Sequence, residues 1–357
     1  MNRLFYLCSM AFLALCVAGC GKDSTAAETK EPSSAAVEGV NFDSLMRQLV
    51  DAVAQKDAAK AADAAAKALE LQPESAEAHL LAGQAACLGG DYAQAREQFI
   101  SVIKEKSLPA ALRAKAYAGL GTVEFERHDA ESARISFLHA LLLDYKNAAA
   151  RYYLARIYRD DHFYEAAEEQ FVLFTRMSKP GDALAAKVSS KDLPELKRTG
   201  ESKRAARFGA GGGNAEQAAK LIQEAQALES KKQFTDAAKK YDAARKADPR
   251  SYAATRGYAR LAKFAEKKDG TRKAIRAYCD AIALKPQSEE NYLEAARLAR
   301  ESDQEFRIQA VEILNHAIAH HPQSTRALDL LISALRKTGN TKLSNAWDEY
   351  RRALGQR

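Results

Sequence analysis

Two histidines in this 357-residue sequence have a spacing that could support metal chemistry. His316 and His320 lie four positions apart, so they would share one face of a helix, and His321 follows directly. Zinc binds such pairs when further ligands join them, but no cysteine lies near them in the sequence. A histidine late in a helix is also stabilised by the helix dipole. A structural role is therefore favoured over a metal site.

The glycine-rich segment 209–213 is a second candidate, because glycine loops can hold phosphate groups. It lacks the Lys-Ser/Thr that completes such a loop, and no strand pattern precedes it. The sequence also has no Gly-x-Ser-x-Gly, His-Glu-x-x-His or Cys-x-x-Cys motif. We therefore predict no enzyme activity, no cofactor, no metal and no small-molecule substrate.

The N-terminal residues have the composition of an export signal. Arg3 precedes an apolar run from Leu4 to Val17, which is shorter than the roughly 20 residues of a membrane-spanning helix. The run closes on Val17-Ala18-Gly19-Cys20, which resembles the lipobox of bacterial lipoproteins. The alternative is an ordinary signal peptide with a chance cysteine.

The lipobox resemblance implies how the chain is processed. Residues 1–19 would be a signal peptide, Cys20 the lipid-modified first residue, and 20–41 a flexible tether rich in small and polar residues. Palmitate-type acyl chains, two or three of them, would hold the protein permanently at a membrane. Gly21 rather than aspartate follows the cysteine, which by resemblance to sorted lipoproteins implies the outer membrane, facing the periplasm.

The remaining composition agrees with an exported protein that has no disulfide framework. Only Cys87 and Cys279 follow Cys20, and they lie in different halves of the chain. The formal net charge of +7 is only mildly basic for this length. We therefore do not expect nucleic acid as a partner.

The rest of the sequence has the period of amphipathic helices and repeats itself at a fixed interval. Ala61 and Ala95 are 34 residues apart, as are Ala133 and Ala167. Three units combine a small residue in the first helix with an alanine and then an aromatic residue in the second; these sets are Gly83, Ala95 and Phe99; Gly121, Ala133 and Phe137; and Ala155, Ala167 and Phe171. Two later units repeat the alanine and the aromatic residue of the second helix, as Ala237 with Tyr241 and Ala274 with Tyr278. The sequence resembles the tetratricopeptide repeat family, whose period is 34 residues.

This resemblance implies an all-α fold of tandem helix-turn-helix repeats in two right-handed superhelical (α-solenoid) arrays. Array 1 covers 42–177 and array 2 covers 214–357, with about four repeats each, the last of which caps the chain. The segment 178–213 lacks the period and contains Pro180 and Pro194, so we interpret it as a basic, glycine-rich linker. Its basic run, Lys197 to Arg207, is typical of a solvated, disordered segment; contact with anionic lipid or an acidic partner is the alternative.

In the tetratricopeptide family, positions 2, 5, 9 and 12 of each first helix line a concave surface, and we carry these positions over by resemblance. In array 1 they begin with apolar residues such as Val53 and Leu80 and end with Tyr152, Arg156 and Arg159. In array 2 they predict a cationic stripe, formed by Arg256, Arg260, Lys263, Arg297, Arg300 and Arg336. Converging cations favour carboxylates. The alternative is an ordinary soluble helix face.

These features together predict a membrane-anchored scaffold that binds partner proteins in concave grooves. By resemblance, it would serve as an assembly factor for a bacterial cell-envelope complex of the pilus, secretion or outer-membrane assembly type. Acidic or C-terminal protein segments are the expected ligands. The alternative is a non-catalytic regulatory subunit of a peptidoglycan or exopolysaccharide synthesis enzyme.

Overall fold

The computed structural model describes residues 41–209, 211–265 and 269–356, which form α-helices and one π-helical turn, without a β-strand. This confirms the all-α fold. The predicted signal peptide, Cys20 and the tether up to residue 40 lie outside the described residues. No helix within the described ranges combines the length and the apolar character needed to cross a bilayer.

The first eight helices follow one another as four pairs. Their bounds are α1 Phe42–Gln55, α2 Ala58–Leu71, α3 Ala76–Gly89, α4 Tyr92–Lys104, α5 Ala110–Glu126, α6 Ala130–Leu143, α7 Ala148–Asp160 and α8 Tyr164–Met177. From α1 to α6 each helix packs on the next, and first helices also meet in the pairs α1 with α3 and α3 with α5. This is the packing of stacked helix-turn-helix repeats, in which each pair buries its apolar face against its neighbours.

The segment 178–213 differs from the expected linker because most of it is helical. It contains α9, Ala183–Lys187, and α10, Leu193–Phe208, which are joined by the π-helical turn Val188–Asp192. Pro194 lies in the first turn of α10, where the missing amide hydrogen of proline is not needed. The proline therefore starts a helix, whereas the sequence analysis took it as a sign of a linker.

Four more pairs complete the described chain. Their bounds are α11 Ala215–Ser230, α12 Phe234–Ala247, α13 Tyr252–Ala265, α14 Gly270–Leu284, α15 Glu289–Arg300, α16 Gln304–His320, α17 Thr325–Lys337 and α18 Thr341–Leu354. Consecutive helices again pack in chain order, and first helices meet in the pairs α11 with α13 and α15 with α17.

The basic run of α10 is fixed by ion pairs, so its interpretation as a disordered segment is wrong. Leu196 and Phe208 are buried on the same helix. The ion pairs are Lys197 with Glu168 at 3.1 Å, Arg204 with Glu165 at 3.2 Å and Arg207 with Asp280 at 2.7 Å. A single exposed ion pair contributes little to stability, but three pairs along one helix together hold that helix in place.

The described residues divide into two compact units. One contains the residues up to Ile157 together with Gln170–Ser190, and the other contains Tyr158–Glu169 together with Lys191 onward. The division falls within α7 and α8, and ion pairs join the first turns of α8 to α10 inside the second unit. The array bounds 42–177 and 214–357 stay a prediction.

A common turn reverses the chain within most pairs. In six of the described pairs, a residue in the left-handed region follows the first helix, with φ between 60° and 81°. These residues are Lys56, Gly90, His128, His162, Lys232 and Gly339. The second helix then begins at a capping residue. Asp91 accepts a hydrogen bond from the amide of Gln94 at 3.0 Å, and Asp129 accepts one from the amide of Ser132 at 3.1 Å.

Small residues and aromatic rings fit together where the helices meet. A Cβ atom added to a glycine at these points would overlap the ring; the closest approaches are Gly83 to Phe99 at 2.7 Å, Gly121 to Phe137 at 2.7 Å and Gly257 to Tyr241 at 2.4 Å. Phe99 and Phe137 are fully buried, so neither ring can move aside into solvent. The absent side chain therefore sets the distance between these helices.

We expect Gly83→Ala to lower the free energy of unfolding by about 1–2 kcal/mol, because overpacking costs roughly 1–3 kcal/mol and improved helix propensity offsets up to about 1 kcal/mol. Gly89→Ala in the same helix is the matched control, since nothing lies within 4 Å of its added Cβ. It should be neutral or slightly stabilising. Urea unfolding followed by circular dichroism measures both, and equal effects would contradict the packing role of Gly83.

Candidate partner-binding surface

The first helices of the later pairs share a face, here called the first-helix face, which carries the predicted cations of array 2. Arg260 on α13 donates to both carboxylate oxygens of Glu229 on α11, at 2.6 and 2.9 Å. Arg300 on α15 donates to the hydroxyl of Ser333 on α17 at 3.3 Å. These contacts run from one first helix to the next, so positions far apart in sequence do meet on one surface.

Two tyrosines of the second helices extend to this face. Burial raises the pKa of Tyr278 to about 12, and Glu294 on α15 adds to the rise, while Arg256 and Arg260 on α13 oppose it. The phenol of Tyr278 therefore lies within reach of charges on both α13 and α15. Tyr241 is similar, because burial and then Glu229 raise its pKa.

From the sequence, Tyr241 and Tyr278 are predicted only as packing residues of the repeat. In the earlier units phenylalanine occupies the same place, at Phe99, Phe137 and Phe171. The change from phenylalanine to tyrosine is the signal that could have placed a polar group here. The ring fills the space between helices and the hydroxyl reaches the charged edge.

Charge on the first-helix face is mixed, which corrects the expected cationic stripe. Arg297 pairs with Glu294 at 2.5 Å and Arg300 with Glu301 at 2.9 Å, in addition to the pair formed by Arg260. Glu294 and Glu301 lie outside the positions carried over from the family, so the prediction did not count them. About half of the predicted positive charge is thereby compensated locally.

The other three predicted cations of this face have no carboxylate within 4 Å among the described residues. Arg256 is half-buried, whereas Lys263 and Arg336 are exposed. Arg336 contributes only a small attraction to Asp348, whose pKa is lowered first by the hydrogen bond from Arg352. These three are therefore the predicted cations of this face whose charge no described carboxylate compensates at close range.

The predicted groove of array 1 is not open at most of its positions. Val53, Leu80 and Tyr152 are buried, with at most 5% of each residue exposed. Tyr152 packs against the rings of Phe171 and Phe174, with centroids 6.0 and 5.4 Å away. Tyr152 is therefore part of the core of its unit, and its role as a binding residue stays a prediction.

The two arginines that follow Tyr152 differ in their surroundings. Arg156 is half-buried, and its guanidinium group lies 4.5 Å from the ring centroid of Phe125, which is a stacking contact. Arg159 pairs with its neighbour Asp160 at 3.0 Å. Each arginine therefore already contacts a neighbouring side chain, Phe125 for Arg156 and Asp160 for Arg159.

The histidines first considered as metal ligands pack among aromatic rings. His316 stacks on Phe163 with centroids 4.2 Å apart, Tyr292 meets it edge-on at 5.1 Å, and His320 lies 5.3 Å away. The Nε2 atoms of both histidines and the hydroxyl of Tyr292 are shielded from water without a hydrogen-bond partner. In the described part of the chain, no group of three or more His, Cys, Asp and Glu side chains is placed to hold a metal ion.

This environment keeps both histidines neutral. Burial lowers the pKa of His316 to about 3 and that of His320 to about 4, and each is lowered further by the next histidine. The ordinary pKa of a histidine is near 6.5. Between that pH and the lowered pKa values, the unfolded chain binds protons at these histidines and the folded chain does not. The resulting stability is fully present above pH 6.5 and is lost as the pH falls.

We expect the thermal unfolding temperature to fall between about pH 7 and about pH 5, with each histidine contributing a slope of at most about 1.4 kcal/mol per pH unit. His316→Phe should flatten this dependence, because it keeps a ring against Phe163 and removes the titrating group. Calorimetry across the pH range measures both proteins. His128→Asn, at an exposed histidine, is the control and should leave the slope unchanged; an unchanged slope in His316→Phe would contradict the assignment.

Comparison with known proteins gave similarities to solved structures alone. No family model matches the sequence, and no curated protein matches it. The chain is similar to a tetratricopeptide repeat protein from Parabacteroides merdae, with a TM-score of 0.34 and 12% identity over 82% of this chain and 98% of that chain.

Two yeast structures are also similar. Tom70 has a TM-score of 0.33 and 17% identity over 93% of this chain and 70% of that chain. The TPR2AB domain of Sti1, solved as a complex with pHSP90, has a TM-score of 0.26 and 15% identity over 88% of this chain and 98% of that chain.

Proposed function

We propose that this protein is a lipid-anchored scaffold that holds protein partners at a bacterial cell envelope. The observation that carries the proposal is the first-helix face, where no carboxylate among the described residues lies within 4 Å of Arg256, Lys263 or Arg336. The other three predicted cations, Arg260, Arg297 and Arg300, form ion pairs. A carboxylate-bearing segment of a partner would complete the charge pattern, and arginine favours it through bidentate hydrogen bonds.

The anchor belongs to the same proposal and rests on the sequence. The apolar run and the lipobox-like Val17 to Cys20 support export, removal of residues 1–19 and lipid attachment at Cys20. Gly21 supports placement at the outer membrane, on the periplasmic side. Assembly of a pilus, secretion or outer-membrane complex is the role that such an anchored scaffold would serve.

Site-specific crosslinking in intact cells tests the binding surface. A photoreactive residue at Gln226, which is exposed on α11, should capture an envelope protein through a peptide rich in Asp and Glu. The double variant Arg256→Gln with Arg336→Gln should lower the yield at least about threefold, because two charge-assisted contacts are lost.

The matched control removes the same charge elsewhere. Arg198 and Lys203 are exposed on α10, away from the first-helix face, so Arg198→Gln with Lys203→Gln should leave the yield unchanged. A yield equally insensitive to both double variants would contradict the proposed surface. Mass spectrometry of the adduct also separates an assembly partner from a peptidoglycan or exopolysaccharide synthase.

Metabolic labelling with an alkyne-bearing palmitate tests the anchor. We expect the label on the wild-type protein and its loss in Cys20→Ala, with transfer of the protein from the membrane to the soluble fraction, because the acyl chains supply the membrane affinity. Cys279→Ala is the control and should keep the label. Labelling of Cys20→Ala would refute lipid attachment at this residue.

A further inference from the structure

We propose that an exposed phenylalanine pair, Phe234 and Phe264, forms a lipid-facing patch with Lys231, Lys232 and Lys263, and that this patch lies against anionic lipid headgroups. The inference goes beyond partner binding, and of the patch residues only Lys263 also belongs to the first-helix face. It assigns a second, direct contact between the folded chain and a membrane.

The two rings form a contact with each other that remains open to water. Phe234 begins α12 and is 38% exposed, and Phe264 lies in the last turn of α13 and is 47% exposed. Their centroids are 5.3 Å apart and the ring planes differ by 32°. Exposed aromatic rings in contact are apolar surface that the fold leaves uncovered.

Backbone contacts hold the pair in place. The hydroxyl of Thr235 donates to the carbonyl oxygen of Phe264 at 3.1 Å, which joins the first turn of α12 to the last turn of α13. The preceding turn is closed by the amide of Lys232, which donates to the carbonyl oxygen of Glu229 at 2.8 Å. The exposure of the rings is therefore a property of a fixed turn.

Lysines lie in the turn before Phe234 and beside the ring of Phe264, and two acids of the adjoining helices pair with other residues. Lys231 and Lys232 are exposed in the turn, and the Nζ of Lys263 lies 5.1 Å from the ring centroid of Phe264. The acids of the adjoining helices pair with other residues; these pairs are Glu229 with Arg260 at 2.6 Å and Asp236 with Lys239 at 2.9 Å. Among the described residues of this region, exposed Asp269 is the acid that these pairs do not account for.

Anionic lipid suits this combination better than a protein does. A specific protein interface buries on the order of 1,000 Å² or more, which is far above what two half-exposed rings supply. A bilayer surface accepts a small patch, because the rings enter the headgroup boundary while the lysines attract anionic lipids. Tethering of the chain to the same membrane would raise the effective concentration of that surface.

Tryptophan fluorescence tests this contact at the residue itself. Phe264→Trp in the full chain adds an exposed indole, whereas the natural Trp347 is fully buried and gives a constant background. With vesicles of phosphatidylcholine containing about one third phosphatidylglycerol, we expect a blue-shifted emission and roughly twofold quenching by brominated acyl chains. Vesicles of pure phosphatidylcholine should give a smaller blue shift and less quenching. The same decrease is expected when Lys231→Gln and Lys232→Gln are combined with Phe264→Trp.

The control is Ile308→Trp, since Ile308 is 53% exposed beside Glu305 and Glu312, and its emission should stay water-like. Water-like emission of Phe264→Trp on vesicles that carry the bound protein would overturn the proposal. A shift that requires added envelope proteins would also overturn it, in favour of a protein contact. Because the readout is local, the Cys20→Ala background should give the same shift at higher lipid concentration, so failure of the anchor and failure of the patch are distinguishable.

Discussion

Contact between a glycine and a buried aromatic ring sets the spacing of neighbouring helices, and the other features of the molecule depend on that spacing. Gly83 admits Phe99, and Gly257 admits Tyr241, at distances that no side chain would allow. With helices this close, each pair buries its apolar face against the next. The first helices then lie near enough for Arg260 on α13 to reach Glu229 on α11.

The tyrosines of the later pairs connect this packing to the charged surface. Tyr241 and Tyr278 keep an aromatic ring at the place where earlier units have phenylalanine, and both are buried. Their hydroxyls lie in the field of the arginines and glutamates of the first helices. The charged surface is thereby fixed to the core, and such support keeps a binding surface in one geometry.

Ion pairs with carboxylates decide which of the lysine and arginine side chains keep an uncompensated positive charge. Lys197, Arg204 and Arg207 are bound to carboxylates and position α10, and Arg260, Arg297 and Arg300 have partners on or beside the first-helix face. The remaining cations are therefore fewer and more localised than a count along the sequence indicates. Among the described residues, three of the six predicted cations, Arg256, Lys263 and Arg336, have no carboxylate within 4 Å.

The sequence by itself determined the helices, their pairing and the small and aromatic residues between them, because these features are encoded within one repeat of 34 residues. It also identified the apolar N-terminal run, which has a compositional signal. Pro194 misled the analysis of α10, since a proline that starts a helix and one in a linker look alike in sequence.

Only the tertiary structure decided which predicted binding residues are exposed and which charges are paired. Tyr152 is buried by rings from α8, and Arg260 is neutralised by a glutamate 31 positions earlier in the chain. His316 stacks on Phe163, from a distant part of the sequence. Such contacts depend on where separate helices meet, and periodicity within one helix carries no information about its neighbours' side chains.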